Sequence, residues 1–134
     1  MSERFKHIFY EVIIFSMIYY LGFKMFSDEY LFGWLVHNLN FFLALAAIAI
    51  ILLIFKQTII SHFMTAGITI GVFVGNFLGK WLREINIAKI NPNSSAQEVA
   101  KLHLNHGFSI MIFVIIVSII LGVYFQIKEN KKIQ

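Results

Sequence analysis

Four long apolar runs, each bounded by charged or turn-forming residues, dominate the chain. They cover about residues 8–26, 34–55, 59–79 and 107–127. At ~1.5 Å per residue, a helix of each length reaches across the roughly 30 Å hydrocarbon core of a bilayer. The pattern predicts an all-α integral membrane four-helix bundle, organised as a single transmembrane domain over residues 1–134. The first run reads as a span rather than a signal peptide, because Glu11 interrupts its start and no small-x-small cleavage site follows. Lys56 and Gln57 leave room only for a tight turn, so the second and third helices are expected to be antiparallel neighbours.

The segment from Lys80 to Asn105 interrupts this rhythm. Trp81 to Ile90 mixes apolar and charged residues, as a segment lying along the membrane interface does. Asn91-Pro92-Asn93-Ser94 reads as a turn. Ser95, with Glu98 three residues on, matches a capping box, so a short extramembrane helix is expected to start there and run unbroken into the fourth span. That span is rich in Ile, Val and Phe, with few small or polar residues, and is expected to be the most lipid-exposed.

The third run carries a second pattern inside the first. Gly67, Gly71, Gly75 and Gly79 are half of the eight glycines in the chain. A spacing of four drifts only ~40° per step around a helix, so all four share one face. In water each would cost about 0.8–1 kcal/mol relative to alanine. In lipid, small residues at this spacing let backbones approach closely, and close packing is what holds helices together there. The glycines are thus a candidate packing seam, within the monomer, in a homo-oligomer or against other membrane subunits. His62, Thr69 and Asn76, spaced by seven, form a polar stripe on the other side of the same helix. With neither face suited to lipid, this helix is expected to be innermost. In the second run His37, Asn40, Ala44 and Ala47 are expected to share one face.

Composition sharpens the class. The chain is 59% apolar and 13% charged, against about 25% charged in soluble domains. A core of this size cannot absorb that much apolar surface, which makes the lipid bilayer the main partner. The net charge of +4 reflects basic residues flanking spans and calls for no nucleic acid. With no cysteine there are no disulfides, thiolate metal sites or covalently attached haem. Four spans place Arg4, Lys6, Lys56, Lys128, Lys131 and Lys132 on the side of the termini, and Lys24, Lys80, Arg83, Lys89 and Lys101 on the other. This bias points to cytoplasmic termini. Abundant Phe, Ile, Asn and Lys suggest an AT-rich bacterial genome, and hence the bacterial cytoplasmic (inner) membrane.

Candidate chemistry rests on histidines and one glutamate. Parity groups His37, Asn38, Asn40, Asn76, His103, Asn105 and His106 at the loop side, and His7, Glu11 and His62 at the terminus side. Neutral imidazole is a usual haem ligand and a common metal ligand. His37 with His106, or His7 with His62, are candidate axial ligands of a b-type haem, and His103 and His106 with His37 are candidate ligands of a divalent metal. The plainer reading of these histidines is interfacial hydrogen bonding. Glu11 is an ionisable group inside a span, a functional-site hypothesis by default. A carboxylate there can exchange a proton for a cationic substrate, and Glu11, His62, Thr69 and Asn76 form the candidate polar path. The plainer reading pairs Glu11 with His7, four residues earlier on the helix. Nucleophile–base pairs, phosphate-cradling loops and zinc-protease spacings are missing from the sequence. The expected function is therefore non-enzymatic: a transport-type protein or an accessory subunit of a membrane complex. The alternatives are a haem- or metal-binding electron-transfer subunit and a membrane immunity protein.

Overall fold

A computed structural model describes residues 2–134, and all regular structure among them is helical. Helix α1, Glu3–Tyr20, starts at Ser2, whose Oγ accepts from the Phe5 amide. It runs on into one wider turn, Leu21–Met25, closed by a 2.8 Å bond from the Phe26 amide to the Leu21 carbonyl. The next helices are α2, Tyr30–His37, and α3, Leu39–Ile54. Beyond them lie α4, Thr58–Ile87, the short α5, Ala96–Leu102, and α6, Gly107–Ile133. Three helices, counting α1 with its wide turn, are long and apolar enough to cross a membrane, and α2 with α3 makes a fourth if counted as one span. This is the architecture of a multi-pass membrane protein.

The second apolar run is not one straight helix. It bends by 86° between α2 and α3, at Asn38. The Asn38 side-chain amide donates to the Trp34 carbonyl at 2.9 Å, and its backbone leaves the helical region. Asparagine does this readily because its amide can replace a backbone donor at a helix end. The sixteen residues of α3 alone rise only about 24 Å. The bend also breaks the expected face: Phe42, Ala46, Ala49 and Leu53 point inward, whereas His37, Asn40, Ala44 and Ala47 are exposed.

The third helix is longer than its apolar run. The residues from Trp81 continue α4 to Ile87 and do not form a separate interfacial segment. The capping box is present: Ser95 Oγ accepts from the Glu98 amide at 3.2 Å, and Glu98 Oε2 from the Ser95 amide at 2.9 Å. The turn at Asn91–Ser94 is closed by a 3.0 Å backbone bond. The helix that begins at this box stops at Leu102, however, and does not continue into α6. Asn105 Oδ1 accepts from the Gly107 amide at 2.8 Å and starts α6 afresh. Between α3 and α4, Lys56 holds a left-handed conformation with φ of 63°, where glycine is usual. It lets the Gln57 amide reach back to the Leu52 carbonyl at 2.8 Å.

Helix α4 is the axis of the molecule. Of its most apolar stretch, 44% is buried, against 22% for α1 and 17% for α6. Its most extensive contact is with α6. Gly67, Gly71, Gly75 and Gly79 are buried there. A Cβ on Gly75 would lie 2.5 Å from the Gly107 carbonyl oxygen, one on Gly79 2.7 Å from Gly107 Cα, and one on Gly67 2.5 Å from Ser118 Cβ. On the other side of α4, the core joins Phe15 and Ile18 of α1, Leu31 and Phe32 of α2, Phe42 and Ala49 of α3, and Ile68 and Val72 of α4.

Two helix starts are capped from neighbouring helices. Neither Glu29, before α2, nor Gln57, before α4, caps its own helix. Asn76 Oδ1 of α4 accepts from the Leu31 amide at 2.9 Å, and Gln126 Oε1 of α6 accepts from the Ile59 amide at 3.1 Å. Asn76 also donates to Glu29 Oε2 at 3.0 Å, and the Lys80 ammonium lies 3.2 Å from Glu29 Oε1. The Asn76 amide holds the Glu29 carboxyl below its ordinary value of 4.5; partial burial opposes this, and the hydrogen bond and charge of Lys80 add to the lowering.

Two outcomes follow for stability in detergent. Gly75→Leu drives a side chain into the α6 backbone and should destabilise the fold by more than the ~1–3 kcal/mol of ordinary overpacking, read as a fall in the thermal midpoint. Because Glu29 is depressed in the folded state, its stabilisation is complete above pH 4.5 and is lost as pH falls through the folded value. The midpoint should therefore drop on acidification through that range, and Glu29→Gln should flatten the dependence.

Candidate functional site

The polar residues of α1 and the start of α4 converge on one buried carboxyl. Glu11 lies two turns into α1 and is 1% exposed. Its Oε1 is 2.6 Å from Ser61 Oγ and 3.2 Å from His62 Nδ1. Ser61 and His62 are neighbours about 100° apart around α4. Both nevertheless reach the same oxygen of this carboxyl. Ser61 Oγ is also 2.7 Å from the Ala49 carbonyl of α3. The other nitrogen of His62, Nε2, is 3.1 Å from His7 Nδ1. The imidazole in contact with Glu11 is thus that of His62, not that of His7 as the helix spacing suggested.

A hydrogen-bonded line runs from His7 through His62 to Glu11 and Ser61. Burial increases along it: both histidines are half-buried, whereas Glu11 and Ser61 are fully buried. Ser61 has one hydroxyl proton and two oxygen neighbours. With Glu11 ionised, Ser61 donates to it. With Glu11 protonated, Glu11 donates to Ser61, and Ser61 donates to the Ala49 carbonyl. Both states use the same heavy-atom positions, so the site holds the carboxyl with or without a proton.

Glu11 also borders a cavity. This cavity, of about 470 Å³, lies between α1 and α4, lined by Glu11, His62, Thr65 and Thr69 and by apolar side chains. Glu11 Oε2 and Thr65 Oγ1 are buried without a hydrogen-bond partner. Thr69 is half-buried at the cavity wall and donates to the Thr65 carbonyl at 2.9 Å. The fourth residue of the expected polar path, Asn76, is elsewhere. It is 0% exposed, and its amide is committed to Leu31 and Glu29. Asn76 therefore holds the start of α2 and does not belong to a path through Glu11.

The facing nitrogens of His7 and His62 do not flank a metal position. Two axial imidazoles hold their nitrogens about 4 Å apart, with roughly 2 Å on each side of the metal. His7 and His62 meet nitrogen to nitrogen at 3.1 Å, with no room for an iron between those atoms. His37, His103 and His106 are exposed. His37 bonds the Gly33 carbonyl at 2.7 Å and His103 the Val99 carbonyl at 2.8 Å. The cavity beside His37 is lined by Asn38, Leu39, Asn40 and Phe41, with no second histidine. No group of three His, Cys, Asp or Glu side chains able to hold a metal occurs among the described residues.

Ser61 and Thr65 were not candidates in the sequence. Ser61, Thr65 and Thr69 recur every four residues along α4, a spacing that marks one polar line and could have found them. No protein-family model, curated protein or solved structure matches the chain. Ser61→Ala removes the hydroxyl that bridges Glu11 and α3. It should lower stability by about 1–3 kcal/mol, the cost of leaving a buried polar group short of a partner, measured by thermal unfolding in detergent.

Proposed function

We propose that the chain is a small, non-enzymatic membrane protein of the transport type, in which Glu11 exchanges a proton with the terminus-side surface through His62 and His7. The observation that carries this reading is the carboxyl itself. It is fully buried, its Oε1 keeps the Ser61 hydrogen bond in either protonation state, and a line of imidazoles leads from it toward the surface. A charged residue at the centre of a membrane helix costs about 2.5–3.5 kcal/mol on insertion scales, and such residues mark proton relays and substrate paths. Imidazole suits a relay because it accepts a proton at one nitrogen and releases one from the other.

The histidine geometry favours this reading over a haem- or metal-binding subunit, and no feature of the site bears on an immunity role. On a four-span reading, the excess of basic residues on the terminus side, six against five, supports termini, and with them His7, on the cytoplasmic side of a bacterial cytoplasmic membrane. Because α6 of the same chain covers the glycine face of α4, assembly with further copies or other subunits would use the exposed faces of α1 and α6.

Infrared difference spectra of the reconstituted protein, recorded between acidic and alkaline pH, test the reading. A protonated-carboxyl C=O stretch should appear on acidification and be missing in Glu11→Gln. After a pH jump, its change should slow by about 10²-fold in His62→Phe, the low end of what a positioned acid–base group contributes. A stretch that persists in Glu11→Gln, or none that responds to pH, would sink the proposal.

A further inference from the structure

We propose that the cavity between α1 and α4 binds a lipophilic ammonium ion, a protonated amine on an apolar body, which enters it from the bilayer. The inference rests on the proton-exchange reading of Glu11 and names what the proton is exchanged for. Glu11 and Thr65 both line this cavity, and one oxygen of each, Glu11 Oε2 and Thr65 Oγ1, is buried and without a partner. Glu11 is 1% and Thr65 3% exposed, so the protein itself shields both from water. A carboxylate oxygen only accepts, and a hydroxyl oxygen can accept. What the site lacks is a donor.

The remaining walls decide which donor fits. Tyr10, Ile14, Ala66 and Ile70 make the cavity largely apolar, and all four are exposed on the outward faces of α1 and α4. On membrane-spanning helices such an opening faces lipid, so the ligand arrives through hydrocarbon and carries an apolar body. The volume of about 470 Å³ lies within the range of small-molecule sites. A bare metal ion would find only two free oxygens and an apolar wall, whereas alkaline-earth sites use about six or more oxygen ligands. An anion would meet a carboxylate. A neutral alcohol supplies a donor but no charge to match an ionised Glu11. An ammonium supplies both, with up to three N–H donors for a primary amine.

The two oxygens of Glu11 then divide the work. Oε1 contacts Ser61 and His62 and would carry the proton traffic, while the unpartnered Oε2 is the oxygen left to serve as counter-ion. The titratable groups around it are His62 from α4 and His7 and Tyr10 from α1, and α3 contributes only the Ala49 carbonyl. With Glu11 ionised, the ammonium forms a neutral pair in the cavity. When a proton reaches Glu11, the counter-charge disappears and the cation leaves. A free amphiphilic amine and the headgroup of phosphatidylethanolamine share this chemistry.

The test uses the full chain reconstituted in phosphatidylcholine vesicles and titrated with tritiated 2-phenylethylamine, with protein-free vesicles as background. The expected result is saturable binding that weakens on acidification and is not displaced by 3-phenylpropan-1-ol. Glu11→Gln should weaken it about tenfold or more, as loss of a buried charge partner does, and Thr65→Val should weaken it by a smaller factor. Ala66→Trp fills the cavity from the lipid side, leaves Glu11 with its partners and should abolish binding, which keeps the test decisive if Glu11→Gln fails to fold. In vesicles where phosphatidylethanolamine replaces half of the phosphatidylcholine, displacement of the amine identifies the headgroup as occupant, and unchanged binding identifies the free amine. Uptake no greater than in protein-free vesicles overturns the proposal, as does saturable binding that is equal in Glu11→Gln and Ala66→Trp. A pH-responsive Glu11 stretch without saturable amine binding overturns this inference alone. Saturable, Glu11-dependent binding with a stretch silent to pH overturns the proton relay and leaves the amine site standing.

Discussion

The close approach of two backbones, α4 and α6, is the constraint on which the structure depends. In a bilayer no hydrophobic force drives helices together, so contact area and closeness have to do it. Gly75 and Gly107 meet with each one's missing Cβ position occupied by the other's carbonyl, and Ser118 and Met111 fill the space facing Gly67 and Gly71. A side chain at Gly75 or Gly79 would push α6 away along this line. With α6 seated on this face, α2 and α3 pack against other parts of α4, and α1 packs on α3 and reaches α4 through His7 and Glu11.

Helix ends are the second constraint, because a membrane environment offers little water to satisfy free amides. Asn76 and Gln126 answer it from across the bundle, each accepting from the second amide of a neighbouring helix. Asn76 adds a donor to Glu29 and so ties α2, the loop carboxylate of Glu29 and the Lys80 ammonium of α4 into one network. This accounts for a fully buried asparagine with no part in the Glu11 site, and for a short α2 that stays docked after the bend at Asn38.

The Glu11 site gains its character from three helices at once. α1 supplies the carboxyl and His7, α4 the serine, the histidine and the cavity wall, and α3 a carbonyl that takes the serine proton when the carboxyl keeps its own. One oxygen of Glu11 is held by Ser61 and His62, the other has no partner, and the residue lines a largely apolar cavity. That asymmetry is what the proposed division of one side chain between a proton path and a ligand seat rests on.

Much of this was legible in the chain by itself, wherever the physics is local or set by the bilayer. Apolar runs of about twenty residues declare membrane helices because the hydrocarbon thickness demands that length. The Ser95–Glu98 box and the Asn91–Ser94 turn could be read directly because their partners are three residues apart. The bend at Asn38, the reach of α4 to Ile87 and the break before α6 were not legible, since hydropathy records what a segment avoids and not where its backbone bonds end. Periodicity placed polar residues on faces of α4, but it could not say what stands opposite them. Asn76 meets Leu31 at a separation of 45 residues, Ser61 meets Glu11 at 50 and Ile59 meets Gln126 at 67. Such pairings depend on which helices pack together, and only the tertiary structure decides that Glu11 faces Ser61 and His62 across a helix interface rather than His7 along its own helix.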